Sequence, residues 1–433
     1  HLSQATKWQI FHEFRAFWEH GQLQIDTEQM VLDASKSDLV RAFRISLSRV
    51  RAFRMARAND LLNVGLVQPR TTELPPKACR SINELISCYL TDLQFFSENL
   101  QEVVHGASLS EWIRAYHVLR EFAIANLGTA VLRQPLDILV IKTPDFFHKL
   151  LVTEGGIEIT RAECIIAHLA FKKKSRDLLD CPLVPFGKYL LMVPALTAIS
   201  EPAHALESLL HSIRSEKSHE LSFIGPGLEA SVRASLRDAG INARNVKVHN
   251  YDCDIAFVLD GVLFLCECKA KFIAADFATY SELENFLCKR AVGQHTRTGD
   301  FFSNDLSMIK RVLDLAPDWQ PRSIERIIIT SSKLGRAMQV DGCWITDHHA
   351  VHAYCTRKGA TIKVGRKMEI RVPDDRLEGP PSAEGFLNYL GTPQGLAIHG
   401  DLLAERRMPL TIGDRSLMFV DCETYGEIQS GDD

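Results

Sequence analysis

Residues 251–269, YDCDIAFVLDGVLFLCECK, decide the fold of this chain. Asp260-Gly261 lies between two apolar runs, and this dipeptide is the strongest short signal for a β-hairpin turn because both turn residues need φ > 0. Counting outward from the turn gives the register, which pairs Leu259 with Val262, Phe257 with Phe264, Ile255 with Cys266, Asp254 with Glu267 and Asp252 with Lys269. The sequence therefore predicts an apolar hairpin with charged residues at its open end.

The charged residues at this open end are predicted to share one face, because side chains alternate along a strand. They are Asp252, Asp254, Glu267 and Lys269. Opposed residues lie about 5 Å apart, and like charges at that distance destabilise a sheet. A divalent cation between Asp254 and Glu267 removes the conflict, and Mg²⁺ takes such carboxylates while keeping positions open for water and phosphate.

Asp254 with Glu267-Cys268-Lys269 resembles the motif of the PD-(D/E)XK nuclease superfamily, which has the restriction-endonuclease-like fold. In that family an acid on one strand and a Glu-x-Lys on the next bind Mg²⁺ and activate a water for phosphodiester hydrolysis. The resemblance implies that Asp254, Glu267 and the main-chain carbonyl of Cys268 hold Mg²⁺ or Mn²⁺. It also implies that Lys269 orients the attacking water. Tyr251 departs from the family pattern, since it lies in the region of the family's proline.

The family core runs helix, three strands, helix, strand, and residues 225–352 can be aligned with it. The aligned elements are a helix from 225 to about 240, a strand over 245–250, the hairpin, a helix over 277–296 and a buried strand over 324–331. Family members often have a Glu in the first helix, so Glu229 is a candidate additional ligand. Gln294 shares the packing face of the second helix with Leu287 and Ala291, and several branches of the family carry a catalytic-site Gln there.

Two other groups of residues allow a zinc interpretation. The first is Cys253, Cys266 and Cys268, predicted on the hairpin face opposite the carboxylates, and the second is Asp347-His348-His349 with His352. Free cysteine usually behaves as a small buried hydrophobe, so core packing is the favoured interpretation of the first group. Histidines that bind one metal are most readily placed on a helix, so ordinary histidines at a strand end are favoured for the second.

A basic helix is predicted over residues 37–58, with an apolar stripe on one side. The candidate nucleic-acid contacts on its remaining surface are Arg41, Arg44, Arg51 and Arg54. Arginine suits bidentate phosphate contacts, although a solvated face or salt bridges to acidic neighbours would use the same residues. The net charge of −4 does not exclude nucleic acid, because binding depends on the local potential.

Length and composition limit the remaining possibilities. The 433 residues predict about two to three domains, and 46% hydrophobic with 24% charged residues is typical of a soluble globular protein. We expect a cytoplasmic protein without membrane contact, because no apolar run could span a bilayer, no signal segment opens the chain and the eleven scattered cysteines indicate reduced thiols. No P-loop is present, which argues against an intrinsic ATPase.

The predicted fold class is mixed α/β, with an α+β organisation overall. We expect a helical N-terminal region, then the restriction-endonuclease-like αβββαβ core with a mixed central sheet, and a small β-rich C-terminal extension. The predicted segments are a helical region with the basic helix over 1–75, a mainly helical domain ending in a strand pair over 76–200, the nuclease-like domain over 201–360 and the β-rich extension over 361–433.

The leading function is a metal-dependent nuclease, with DNA favoured over RNA as substrate. The resemblance to nucleases implies restriction, repair or antiphage defence as family-level settings. Two alternatives remain open: a nuclease-fold protein that binds nucleic acid without cutting it, and an interaction scaffold in which the helical half carries the function. Nucleases of this fold usually need two subunits to cut both strands, so a homodimer or a larger assembly with a partner protein is consistent with the leading function.

Overall fold

The computed structural model describes residues 2–61, 67–96, 100–129, 139–173, 175, 177–213, 222–274, 276–364, 368–412 and 415–424. The helices within these ranges are α1 Leu2–Glu19, α2 Asp38–Leu61, α3 Ile82–Phe95, α4 Leu109–Thr129, α5 Pro144–Thr153, α6 Ile159–Leu169, α7 Pro194–Ile199, α8 Pro202–Ile213, α9 Ile224–Asp238, α10 Phe277–Asn285, α11 Val292–Asn304, α12 Ser307–Val312, α13 His348–Thr356, α14 Ala383–Gly391 and α15 Gln394–Asp401. A π-helical segment, Phe286–Ala291, joins α10 to α11, and Asp375–Leu377 forms a 3₁₀ turn.

The strands of the same ranges are β1 Gln24–Asp26, β2 Val31–Asp33, β3 Val103–Val104, β4 Ala107–Ser108, β5 Val140–Lys142, β6 Leu183–Phe186, β7 Tyr189–Met192, β8 Ala243–Val248, β9 Tyr251–Leu259, β10 Val262–Lys269, β11 Ser323–Thr330, β12 Met338–Val340, β13 Cys343–Asp347, β14 Thr361–Val364, β15 Met368–Arg371, β16 Leu403–Ile412 and β17 Arg415–Thr424. Helices and strands alternate along the chain and one sheet contains both parallel and antiparallel pairs, so the prediction of a mixed α/β fold is confirmed.

The chain divides into two compact units whose bounds differ from the four predicted segments. One unit combines His1–Phe53 with Leu228–Asp433, and the other is Arg54–Gly227. The predicted segment 1–75 is therefore divided, and its first part belongs with the C-terminal half of the chain. The reason is strand pairing across the sequence, because β17 pairs in parallel with β2 and antiparallel with β16. The C-terminal strands thus complete a sheet with the N-terminal residues instead of forming a separate extension.

A six-stranded mixed sheet forms the centre of the first unit, in the order β12-β13-β11-β10-β9-β8. The hairpin of β9 and β10 has the predicted register from Leu259–Val262 to Ile255–Cys266. Asp260 and Gly261 both have positive φ, 50° and 75°, as the predicted turn requires. On its other edge β10 pairs in parallel with β11 along its whole length. The order along the chain is α9, three antiparallel strands, α10 to α11, and β11.

The N-terminal helices pack by aromatic contacts against the same unit. Phe14 contacts Phe419 of β17 edge to face, with ring centroids 4.5 Å apart, and Phe17 contacts Phe277 of α10 at 4.8 Å. Phe14 and Phe17 are therefore core residues of α1. Trp8 and Trp18 of the same helix are 68% and 61% exposed, so only part of its aromatic surface is buried.

The second unit contains α3 to α8, and its sheet has the order β5-β7-β6. The strand pair predicted at the end of the segment 76–200 is present, since β6 and β7 pair antiparallel. A buried ion pair lies inside this unit, where Arg114 donates to Glu84 at 2.5 Å and both side chains are fully buried. Of the helices in the described ranges, none is both long and apolar enough to traverse a lipid bilayer.

Candidate active site at the open end of the hairpin

Asp254 lies where the two strands of the hairpin separate. The paired register of β9 and β10 ends at Ile255 and Cys266, so the predicted pairing of Asp254 with Glu267 does not continue the ladder. The Asp254 carboxylate instead accepts a hydrogen bond from the main-chain N–H of Cys268, with 2.7 Å between Oδ2 and N. This bond fixes a half-buried carboxylate beside the last residues of β10.

A bulge in β9 explains why Asp252 does not pair with Lys269 as predicted. The register of β8 and β9 changes from Arg244–Ala256 to Val246–Cys253, which leaves one extra residue on β9 in the stretch that contains Asp254. A bulge turns the preceding side chains to the other face. The Asp252 carboxylate accordingly binds Asn245 at 2.9 Å and Lys247 at 3.3 Å, instead of the predicted partner Lys269.

Lys269 lies between an acid of its own strand and an amide of α11. Its Nζ donates to Glu267 Oε1 at 2.5 Å and to Gln294 Oε1 at 3.2 Å, and the Gln294 amide nitrogen lies 3.5 Å from the same Glu267 oxygen. The Glu267 residue is 5% exposed, whereas Gln294 is exposed. The structure therefore brings the predicted Glu267, Lys269 and Gln294 into mutual contact.

The π-helical segment Phe286–Ala291 precedes α11 and was not predicted. A wider turn of this kind changes the direction of the residues that follow it, and such turns are frequent at functional sites. Leu287 and Ala291 are buried in the core against β11, while Gln294, in the first turn of α11, reaches the end of β10. Gln294 therefore does not follow the helical spacing that an uninterrupted helix would give it relative to Leu287 and Ala291, because the wider turn ends just before it.

Glu229, on α9, completes the acidic side of the cluster. Its carboxylate pairs with Arg233 at 3.3 Å, and the same Arg233 nitrogen donates to the main-chain oxygen of Asp254 at 3.4 Å. After burial and the charge of Glu267, the charge of Glu229 also raises the pKa of Asp254. After burial and the charge of Asp252, it raises the pKa of Glu267, so Glu229 is an electrostatic neighbour of both acids. Arg233 was not predicted, although its i, i+4 spacing from Glu229 is a signal for such a pair.

The acids of the cluster are in electrostatic conflict. The pKa of the Asp254 carboxyl is raised from 3.8 to about 7, chiefly by burial and next by the charge of Glu267. The pKa of Glu267 is also raised, mainly by burial, although the hydrogen bond from Lys269 opposes this effect. Buried carboxylates that share one site resist joint ionisation, and a cation among them would relieve the conflict.

Oxygen atoms suited to a hard cation converge at the same place. Ser331 N donates to the Lys269 main-chain oxygen at 3.4 Å, so that carbonyl points toward β11. Successive carbonyls of a strand point to opposite edges, and the Cys268 carbonyl therefore points toward Asp254, as its N–H does. Asp254, Glu267 and this carbonyl could hold Mg²⁺ or Mn²⁺. Across the described ranges no group of at least three His, Cys, Asp or Glu side chains is arranged for a metal, so a cation here would depend on these carboxylates and the main-chain oxygen.

The predicted basic face of α2 is smaller in the structure. Arg44 forms ion pairs with Asp421 and, at 2.9 Å, with Glu13, and its side chain is 13% exposed. It is therefore an internal structural cation and not a surface contact for nucleic acid. Arg41 and Arg51 are exposed, and the side chain of Arg54 lies outside the described residues.

Neither candidate zinc group has the arrangement of a metal site. Cys253 and Cys266 are fully buried and Cys268 is half-buried, in agreement with the favoured core packing. Asp347 caps α13 and pairs with the buried Arg49 at 2.6 Å, so this carboxylate has a structural partner. His348, His349 and His352 lie on α13 and not at a strand end as predicted, yet among the described residues no group of three such side chains is arranged for a metal.

A cavity of about 560 Å³ lies at the far end of α11, away from the acids. Its walls include Ser303, Asn304, Lys310 and Arg311. Lys310 donates to the main-chain oxygen of Pro317 at 2.8 Å, so one of the two cationic side chains in the cavity wall already has an internal partner. None of the residues in the acidic cluster lines this cavity, and we assign it no part in the chemistry.

Comparison with known proteins identifies no relative from which a function could be transferred. No protein-family model, no curated protein and no solved structure matches the chain. The functional interpretation therefore depends on the side-chain geometry at the open end of the hairpin.

Proposed function

We propose that this protein is a metal-dependent nuclease that hydrolyses phosphodiester bonds, with DNA as the favoured substrate. The observation that carries the proposal is the convergence of Asp254, Glu267, Lys269 and Gln294 at the end of β10. Structural ion pairs usually neutralise charge, whereas this cluster keeps acids whose pKa values are raised. Groups perturbed in this way by burial and by specific neighbours are typical of functional sites.

The arrangement of elements supports a place in the PD-(D/E)XK superfamily. A helix, three antiparallel strands, a helical segment and a parallel strand follow one another, with the acids at the open end of the second and third strands. Glu229 on the preceding helix and Gln294 on the following one contribute from the two positions that the resemblance implies. A fold by itself does not give an activity, so the proposal depends on the site.

The roles of the residues follow from their positions. Asp254, Glu267 and the Cys268 carbonyl would hold Mg²⁺ or Mn²⁺, which when bound supplies a Lewis acid to the phosphoryl group. Gln294 holds the Lys269 ammonium at 3.2 Å, so its direction is fixed. That ammonium can orient a water toward phosphorus and offset the negative charge that grows as the P–O bond to the leaving oxygen breaks. A compact ammonium is suited to this role.

The test is a digestion panel with single-stranded DNA, duplex DNA and RNA, each with Mg²⁺, Mn²⁺ or EDTA. We expect cleavage by the wild type with a divalent ion. The cleavage rate should fall on the order of 100-fold or more in Lys269→Met and Glu267→Ala, because each substitution removes a preorganised charge that would stabilise the transition state. Lys269→Met should keep metal binding, which calorimetry can measure. Lys247→Met is the matched control, since that lysine also pairs with an acid of the hairpin but lies 67% exposed outside the cluster.

Cleavage by Lys269→Met at the wild-type rate would refute the catalytic role assigned to the Lys269 ammonium. Metal-independent cleavage, or cleavage that survives Glu267→Ala, would refute the proposed chemistry. Binding of nucleic acid by the wild type without any cleavage in the presence of Mg²⁺ or Mn²⁺ would favour a binding protein with the same fold.

A further inference from the structure

A stripe of exposed and half-buried residues on α11 leads away from the proposed catalytic cluster. Gln294, Arg297 and Phe301 recur at spacings of three and four residues, so they lie on one face of the helix. Gln294 contacts Lys269 at one end of the stripe, and Phe301 contacts Tyr251 at the other. The stripe therefore joins the cluster to an aromatic pair.

The aromatic pair is a parallel stack in which Tyr251 is partly exposed. The rings of Tyr251 and Phe301 are 4.0 Å apart between centroids and inclined by only 7°. Phe301 is half-buried, contacts Phe302 edge to face at 5.2 Å and packs against the core under β8 and β9. Tyr251 remains 36% exposed, so its ring is supported on one face while other parts of it meet solvent.

The bulge in β9 explains how Tyr251 comes to this position. Cys253 belongs to the same apolar cluster as Ala256, although strict alternation would place them on opposite faces of the sheet. The changed alternation carries Tyr251 to the side of α11 as well. Tyr251 lies three positions before Asp254, which is roughly 10 Å along a strand. One bound chain could therefore contact both.

Exposed arginines lie on α11 and on the π-helical segment that precedes it. Arg297 is exposed, as is Arg290 in the π-helical segment, and within the described part of the chain neither forms an ion pair. The nearest acid along α11, Asp300, is engaged by Arg326 at 3.4 Å. A guanidinium free of carboxylates is available to a phosphate group.

We propose that Tyr251, supported by Phe301, stacks on an unpaired nucleobase while Arg297 binds the phosphate chain, so that the preferred ligand is a single-stranded nucleic acid or a single-stranded end. The inference rests on the proposed nuclease function and names its substrate class. Bases inside a duplex are already stacked and offer no free face, whereas unpaired bases stack on exposed aromatic rings. A platform of this kind beside the cluster discriminates by strandedness rather than by sequence.

The test measures binding in EDTA, where the proposed cleavage does not occur. Fluorescence anisotropy compares a labelled DNA single strand, the duplex of the same sequence and the matching RNA strand. We expect tighter binding of single strands than of the duplex. Tyr251→Leu should weaken single-strand binding on the order of tenfold, because it keeps apolar contact with Phe301 but removes the aromatic face. Tyr251→Phe should bind like the wild type.

Two further variants make the result independent of folding defects. Tyr189→Leu is the matched control, since Tyr189 is 37% exposed and lies in the other unit, and it should leave binding unchanged. Arg297→Gln should reduce the slope of log affinity against log salt by about 0.7, the value for one phosphate contact on a single strand. Thermal unfolding of each variant confirms that the fold is intact.

Equal binding by Tyr251→Leu and Tyr251→Phe, an unchanged salt slope in Arg297→Gln, or no preference for single strands would overturn this inference. The outcome is separable from that of the proposed function. Tyr251-dependent binding of single strands without cleavage in Mg²⁺ would refute hydrolysis alone. Metal-dependent cleavage with binding insensitive to Tyr251 would refute the stacking platform alone. A preference for RNA over DNA single strands would support the platform and correct the favoured substrate.

Discussion

The acidic cluster should destabilise the metal-free protein, and Asp254→Asn should relieve that cost. The Asp254 carboxyl has a pKa of about 7 in the folded chain against an ordinary value of 3.8. At 1.36 kcal/mol per pH unit, this difference corresponds to about 4 kcal/mol when the group is ionised. The side chain is half-buried, and solvent screening lowers the expected gain from Asp254→Asn to about 2 kcal/mol at pH 8. The asparagine oxygen can still accept the hydrogen bond from Cys268.

The stability of the metal-free protein should depend on pH because Asp254 has different pKa values in the folded and unfolded states. The folded state holds a proton on Asp254 up to about pH 7, whereas the unfolded state releases it near 3.8, so the folded state binds more protons between these values. Stability of the metal-free wild type therefore falls as the pH rises through this window. The advantage of Asp254→Asn should be absent near pH 3.5, grow through the window and be complete at pH 8.

Urea unfolding in EDTA at several pH values measures the effect. Mg²⁺ should stabilise the wild type at pH 8 and have a much smaller effect on Asp254→Asn, because the variant lacks one proposed ligand. Asp252→Asn is the control on the same strand, since its carboxylate pairs with Asn245 and Lys247. Its charge contributes to the raised pKa of Glu267 alone, so we expect a smaller gain than from Asp254→Asn. A loss of stability in Asp254→Asn at pH 8, or an equal gain in Asp252→Asn, would refute the electrostatic conflict that we assign to the site.

Two further predictions concern the packing that supports the sheet. Arg44→Ala should lower the free energy of unfolding by about 3–5 kcal/mol, because it leaves the Asp421 carboxylate of β17 buried without its ion pair. Arg41 is an exposed residue of the same helix, and Arg41→Ala should change the free energy of unfolding by less than about 0.5 kcal/mol. Gly335→Ala should destabilise by about 1–3 kcal/mol or more, since a Cβ there would overlap the main chain of α2. Gly293→Ala, where a Cβ meets open space within α11, should instead stabilise by up to about 1 kcal/mol. Chemical denaturation measures all four, and a harmless Arg44→Ala or Gly335→Ala would contradict the packing described.

The local parts of the candidate site could be predicted from the sequence because they depend on short-range geometry. The Asp260-Gly261 turn has positive φ at both residues, and the apolar pairs of the hairpin follow from it by counting. The contact between Glu267 and Lys269 was predictable because residues two apart on one strand lie on the same face. Asp252 was misplaced because the bulge in β9 depends on pairing with β8, which no local signal in the hairpin reports.

The surface and the domain organisation were less accessible to prediction. Arg41 and Arg44 belong to the same basic helix, yet one is exposed and the other is an internal ion pair with Asp421, nearly the whole chain length away. Likewise β1 and β2 are too short for a periodic signal: β2 forms a strand through pairing with β17, and β1 through pairing with β2. In each case the deciding partner lies far along the chain.

The sequence by itself determined the hairpin, its turn, its apolar register and the presence of an acid followed by Glu-x-Lys at its open end, because these properties depend on backbone preferences and on alternation over a few residues. Only the tertiary structure decided that Gln294 reaches Lys269, that Glu229 joins the acids and that Tyr251 rests on Phe301. The physical reason is that a β-bulge changes the alternation of side chains along a strand, and a π-helical turn changes the helical periodicity. The direction in which the affected side chains then point is set by contacts between elements that are distant in the chain.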